Sequence, residues 1–151
     1  MYIFYAFPFA QLCNNKNGQV DEKYRYFFEG LKKIAKQNGH QYFLAHEREN
    51  WGAEYKGPDE CVPNDYAGVI NSDIMIVVPG NPISGGVHVE MGWASANKKK
   101  MHIFLEEDRK YSPVVYGLNS LTNVTYHYSK VFPSEDLLKD IEQVILDEGV
   151  K

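Results

Sequence analysis

The chain is poor in cysteine: two in 151 residues, Cys13 and Cys61, far apart. It has no C-x-x-C pair and no Cys/His set at metal-ligand spacing, which argues against a disulfide-stapled scaffold and a zinc module. Two free thiols in a reducing, cytoplasmic setting are expected. Basic excess is also lacking. The formal net charge is −4, which speaks against a nucleic-acid-binding face. The one basic run, Lys98-Lys99-Lys100, lies between apolar segments and reads as a solvated helix end. No apolar run approaches the length of a membrane span. No basic stretch followed by an apolar core opens the chain, so no signal peptide is expected. Internal repeats and low-complexity segments are absent.

What remains is an ordinary globular composition, 44% hydrophobic and 24% charged, at a length that fits one domain. Tyr2 to Phe7 reads as a buried strand closed by Pro8. Val20 to Gln37 reads as a helix, because Tyr24, Phe27, Phe28, Leu31, Ile34 and Ala35 recur at helical spacing. Gln41 to Ala45 is a second short strand. Glu47 to Pro63 is polar, with two glycines and two prolines, and reads as a long loop of the kind that is often functional. Asn64 to Asn71 fits a short helix. Ile74 to Val78 is the clearest strand, stopped by Pro79-Gly80-Asn81-Pro82. Val87 to Asn97 is helical, Met101 to Leu105 is a fourth strand and Asn123 to Tyr128 a fifth. Ser134 is suited to cap a last helix over Leu137 to Leu146. Continuous apolar strands alternating with helices predict an α/β fold: a five-stranded parallel sheet of flavodoxin-like (Rossmann-like) order with helices on both faces. Ligands bind such sheets at the carboxyl ends of the strands. The loops after Phe7, Val78 and Leu105 are therefore the places to search.

The segment after the third strand carries the most chemistry. Gly85 and Gly86 let backbone approach a ligand. The helix that follows offers free N–H groups to an anion, and Ser84 adds a hydroxyl beside them. Glu90 lies about one turn further on. Beside an anion seat, a carboxylate suits a sugar, as nucleophile or as partner to an oxocarbenium-like centre. An exposed glutamate favoured by the helix dipole explains the same pattern equally well.

Gly86, Glu90, Gly92 and Ala94 resemble the G-x-x-x-E-x-G-x-A pattern of the nucleoside 2-deoxyribosyltransferase superfamily. The resemblance implies one such domain over residues 1–151, with Glu90 as nucleophile on the anomeric carbon. It also implies a second carboxylate, Asp65, eight residues before Asp73 as in the family, to protonate the leaving base or position water. Transferases of free nucleosides carry an aspartate six residues before the glutamate. Ser84 stands there, which resembles the branch that hydrolyses nucleoside 5′-monophosphates (deoxynucleotide and cytidylate hydrolases). An aspartate would repel a phosphate that a serine can bond. Ser112, five residues before Gly117, matches a serine that in those hydrolases reaches the phosphate of a neighbouring subunit, which requires a dimer.

The resemblance thus implies an N-glycosidase acting on a small nucleotide as a homodimer, without metal or organic cofactor, nucleic acid or membrane. The implied substrate-binding positions are Phe4, Ala6, Phe7 and Phe9 from the first strand and its turn, Ser84, Gly85, Gly86 and Ser112. Phe7 and Phe9 are read either as a base platform or as core. Phe4 is a departure: many members have a tyrosine there that bonds the glutamate, while Tyr5 faces the other side. Base exchange by a transferase and nucleotide sensing without turnover are the alternatives. A phosphoribohydrolase loop, P-G-G-x-G-T-x-x-E, is echoed but interrupted by Asn81 to Ser84. Trp51 is read as either a base cover or a loop anchor. His40, His46, His88, His102 and His127 are scattered and imply no metal site.

Overall fold

A computed structural model describes residues 1–14, 16–80, 83–129 and 131–150. Asn81 and Pro82, within the expected stop after the third strand, lie outside them. Five strands form one parallel sheet: β1 (Tyr2–Ala6), β2 (Gln41–Phe43), β3 (Ile74–Val77), β4 (Lys100–Glu106) and β5 (Val124–Ser129), in the order β2-β1-β3-β4-β5. This is the flavodoxin-like order, and its switch point lies between β1 and β3.

Successive strand residues point to opposite faces, so β1 feeds two cores. Ile3, Tyr5 and Phe7 pack with Phe28 and Leu31 of α1 (Glu22–Gln37) and Ile141 and Ile145 of α6 (Glu135–Gly149). Phe4 and Ala6 face the other way, with Val69 of α3 (Pro58–Asn71) and Met91 and Ala94 of α4 (Gly85–Ala96). The short helices α2 (Ala45–Arg48) and α5 (Pro113–Tyr116) follow β2 and β4. Gly39, with φ +69°, ends α1 by turning left-handed, and His40 N–H then bonds Ala35 O at 2.9 Å. Asp73 clamps the amino ends of β1 and β3: its carboxylate accepts from Tyr2 N–H at 2.7 Å, and its own N–H donates to Tyr2 O at 2.8 Å. No helix among the described residues is long and apolar enough to cross a membrane.

Two expectations are corrected. The short helix expected from Asn64 begins at Pro58, after Gly57, with Asp59 and Glu60 in its first turn. Proline at the first position and early acids are ordinary start signals. They went unread because the first turns are polar and exposed, and because Pro63 sits inside the helix instead of at its boundary. The loop expected over Glu47 to Pro63 is consequently shorter, and it also contains the end of α2 and a 3₁₀ turn at Asn50–Gly52.

Candidate active site

The loop from β3 ends at Ser84, which caps α4. Ser84 Oγ accepts from Val87 N–H at 3.4 Å, which leaves the hydroxyl proton free to donate. Neither Gly85 nor Gly86 is required by packing. A Cβ at Gly85 would meet nothing within 4 Å, and one at Gly86 only Ser84 Oγ at 3.9 Å. The space in front of the helix N-terminus is therefore open.

Glu90 projects from the next turn into a cavity of about 250 Å³ between the ends of β1 and β3. Phe7, Phe9, Asp65, Ser84 and Gly86 line the same cavity. Six sequence-derived residues from three separate segments thus meet in one place. Asp65 reaches it because α3 lies close on the sheet. A Cβ at Gly68 would come within 2.8 Å of both Phe4 and Phe43, so only glycine permits that approach. Phe4 and Phe43 stack beneath it, 4.9 Å between centroids.

The electrostatics separate this cavity from an ordinary surface cleft. Among the described residues, neither Glu90 nor Asp65 has a hydrogen-bond or ion-pair partner for its carboxyl group. Burial, and then the nearby Asp65, pushes Glu90 well above the usual carboxylate range. Asp65 is raised to about 6, first by burial and then by Glu49, with Arg48 opposing. Two carboxyls that cannot easily ionise together can share a proton, and such a pair is able to divide acid and nucleophile roles.

Other sequence-derived positions stand apart. Phe4 and Ala6 are 1% exposed and belong to the core behind the cavity. Phe4 shares that face with α4 while the Tyr5 hydroxyl turns away to Leu31 O, as the strand register implied. Gly85 is exposed beside the cavity without lining it. Ser112 caps α5, accepting from Val114 N–H at 3.3 Å, and does not line this cavity. Phe7 packs in the core, edge-on against Phe28 at 5.4 Å, and also lines the cavity. Trp51 is an anchor, 7% exposed, with Arg25 over its ring at 4.9 Å. His88 Nδ1 is tied to Ser84 O at 2.8 Å.

Glu49 is the residue that sequence reasoning missed. It lines the cavity and also a contiguous one of about 300 Å³, which shares Ala45, Lys56, Cys61 and Asp65 and extends to Arg48 and Asn64. Burial raises Glu49, while Lys56 opposes the shift. Three successive left-handed residues follow it: Asn50 (φ 45°), Trp51 (φ 58°) and Gly52 (φ 91°). A Cβ at Gly52 would lie 2.6 Å from Gly18 O. The buried indole holds this unfavourable turn, and the turn sets Glu49 in the cavity wall. Nothing periodic marks Glu49. The only sequence signal was its place in a long polar segment.

Known proteins resemble the chain at the level of the whole fold. No family model and no curated protein matches the chain. Among solved structures, that of BlsM is 32% identical with a TM-score of 0.78, covering 99% of this chain and 91% of BlsM. The Clostridium botulinum CMP N-glycosidase BcmB is 27% identical with a TM-score of 0.69, covering 96% of this chain and 97% of that one. A conserved protein from Enterococcus faecalis V583, 21% identical with a TM-score of 0.62 and covering 95% and 98%, shares the fold. With the glutamate motif seated at the switch point and a relative this similar over nearly its whole length, the chain is an enzyme of the nucleoside 2-deoxyribosyltransferase superfamily.

Proposed function

We propose that the chain hydrolyses the N-glycosidic bond of a nucleoside 5′-monophosphate, releasing the base and a sugar 5-phosphate. The observation that carries this reading is the convergence of two partnerless carboxyl groups, Glu90 and Asp65, on a cavity edged by Ser84 and Gly86 at a helix N-terminus. The similarity to a CMP N-glycosidase supports the same chemistry.

The phosphate sits before α4, accepting from the Ser84 hydroxyl and the free N–H groups of Gly85 and Gly86. That places the anomeric carbon over Glu90. Positive charge developing there favours the ionised form of Glu90, so the shared proton resides on Asp65. A Glu90 oxygen bonds the anomeric carbon as the carbon–nitrogen bond breaks, and Asp65 gives its proton to the departing base. Water then attacks the same carbon, Asp65 takes a water proton, and Glu90 is released. Two carboxyl groups suffice, so no metal or organic cofactor is invoked. The working unit is a homodimer in which Ser112 completes the phosphate seat of the neighbouring copy. What supports this is that Ser112 lies outside its own cavity, with Val114, two residues on, presented to solvent at 72% exposure. A fully active monomer in light scattering at assay concentration overturns the dimer.

The test is kcat/KM for nucleosides and their 5′-monophosphates, CMP included, in wild type and Ser84→Asp. Charge-assisted hydrogen bonds contribute roughly 1.5–3 kcal/mol each. Losing two of them by omitting the phosphate lowers efficiency by about two to four orders of magnitude. Ser84→Asp lowers activity on the monophosphate. Equal wild-type efficiency on both substrates overturns the phosphate seat. Transfer of the sugar to an added second base, in place of water, returns the transferase reading.

A further inference from the structure

The part of the cavity wall formed by Phe9 depends on a buried histidine that the chemistry above does not use. His46 is 1% exposed. Its ring lies between two phenylalanines, stacked on Phe28 of α1 at 4.2 Å and on Phe9 at 4.6 Å, the latter with only 9° between planes. Its Nε2 is 2.8 Å from Pro8 O. A carbonyl only accepts, so Nε2 carries the proton and Nδ1 is bare. Nδ1 is buried and has no partner among the described residues. Burial holds the imidazole at about 4, far below its ordinary range, so it stays neutral at working pH.

A buried polar atom left unmatched in a native wall calls for an explanation. An apolar side chain would fill the same slot between two rings without that defect. What an apolar side chain cannot do is donate to Pro8 O. That bond fixes the turn that leaves β1, and Phe9 is the next residue. Phe9 lines the cavity, and its ring lies tilted beside that of Tyr55, another lining residue, with 5.6 Å between centroids. Two further ties hold the same turn: Leu12 N–H donates to Phe9 O at 2.9 Å, and Gln11 Nε2 donates to Ile83 O in the β3–α4 loop at 3.3 Å.

We infer that His46 is a positioning residue for substrate recognition: by gripping the Pro8 carbonyl and one face of the Phe9 ring, it presets Phe9 as a rigid platform for the base. This rests on the nucleotide reading above and names a residue that serves it from outside the cavity. A preset ring loses less freedom when a base packs on it, so the benefit falls on binding and not on bond cleavage.

The experiment is a steady-state cycle on the best nucleotide substrate with wild type, Phe9→Leu, His46→Gln and the double variant, with Tm measured on each. Loss of the platform in Phe9→Leu raises KM about tenfold at near-constant kcat. His46→Gln keeps a donor but loses the ring, and raises KM about fivefold. In the Phe9→Leu background it adds little, because it acts through Phe9. His46→Phe keeps a ring in the slot and loses only the donor. It also raises KM, and it carries the test should the glutamine variant be unstable. A merely structural His46 would lower Tm and the active fraction, reducing kcat at unchanged KM. An unmoved KM in both variants, or effects of His46 and Phe9 that multiply in full, overturns the inference while leaving the hydrolase intact. A wild type that releases no base from any nucleotide overturns both.

Discussion

The two ends of the sheet bury titratable groups in opposite ways. At the amino end, Lys100 Nζ lies 2.5 Å from Glu148 Oε1, and His102 Nε2 lies 3.3 Å from the same oxygen. His102 Nδ1 pairs with His127 Nε2 at 3.0 Å. Charge there is matched within the cluster, and the cluster ties β4 and β5 to the end of α6. At the carboxyl end, Glu90, Asp65 and Glu49 share a cavity, and burial raises all three. A paired cluster serves the fold. Of the three, Glu90 and Asp65 have no partner for their carboxyl groups among the described residues, and perturbed carboxyl groups of this kind cluster at functional sites. The difference between the ends points to the same candidate site as the motif does.

Glu90→Gln breaks the comparison most sharply. Loss of the nucleophile lowers kcat by about four orders of magnitude or more. The same change removes a buried ionisable group whose folded value lies above its unfolded one. Such a group is tolerated below the ordinary carboxylate range and destabilises increasingly as pH rises towards its folded value. Glu90→Gln therefore raises Tm at pH 7–8, by about 2–4 °C for each kcal/mol relieved, and the gain fades below about pH 4. Near-normal turnover, or a Tm that falls, contradicts the assignment. Asp65→Asn follows in size. It removes the proton donor to the base and lowers kcat by about 10²- to 10⁴-fold, with a smaller change in KM.

Glu148→Gln is the matched control at the other end. It removes the negative charge that faces Lys100 and His102, and it is expected to cost about 1–3 kcal/mol, discounted for partial exposure of the lysine. Thermal unfolding should show a lower Tm, with kcat/KM of the folded enzyme unchanged. A variant that loses activity without losing stability would mean the two ends are coupled.

Much of this could be read from the sequence, for physical reasons that differ by segment. Ile74 to Val77 could be assigned because a fully buried parallel strand is an unbroken apolar run rich in β-branched residues. α1 could be assigned because its buried positions, such as Phe28 and Leu31, repeat at helical spacing. Glu90 and Ser84 are set by one loop–helix unit and share a local pattern. Asp65 was located by its spacing to Asp73, although its helix starts six residues earlier than expected, because the polar first turns of α3 show no periodicity. Glu49 and His46 were illegible as site residues. Their roles come from which side chains the fold brings beside Asp65 and Phe9, and the strained turn at Trp51 has no signature in sequence.

The finest test of the contrast concerns Glu49. Groups around Asp65 come from several elements: Glu49 and Arg48 from the turn after β2, Cys61 from its own helix and Glu90 from α4. Lys56 and Glu60 bear in turn on Glu49. Catalysis needs one carboxylate and one proton on the Glu90–Asp65 pair. When pH falls through the lower value of the pair, about 6, both become protonated and the nucleophile is lost. Wild-type kcat/KM therefore declines on the acid side near that value. Glu49 acts on Asp65 as a like charge, which raises it, while Arg48 lowers it. Glu49→Gln removes the raising charge and leaves Arg48 unopposed, so the lower value falls and the acid limb moves to lower pH. The variant then retains more of its maximal kcat/KM at pH 5 than wild type does, even if its maximum is smaller. Glu49→Asp, which keeps the charge, restores the wild-type limb. A change of shape alone would scale the profile without moving it. Parallel profiles for wild type and Glu49→Gln would mean that Glu49 lines the cavity without taking part in its proton balance.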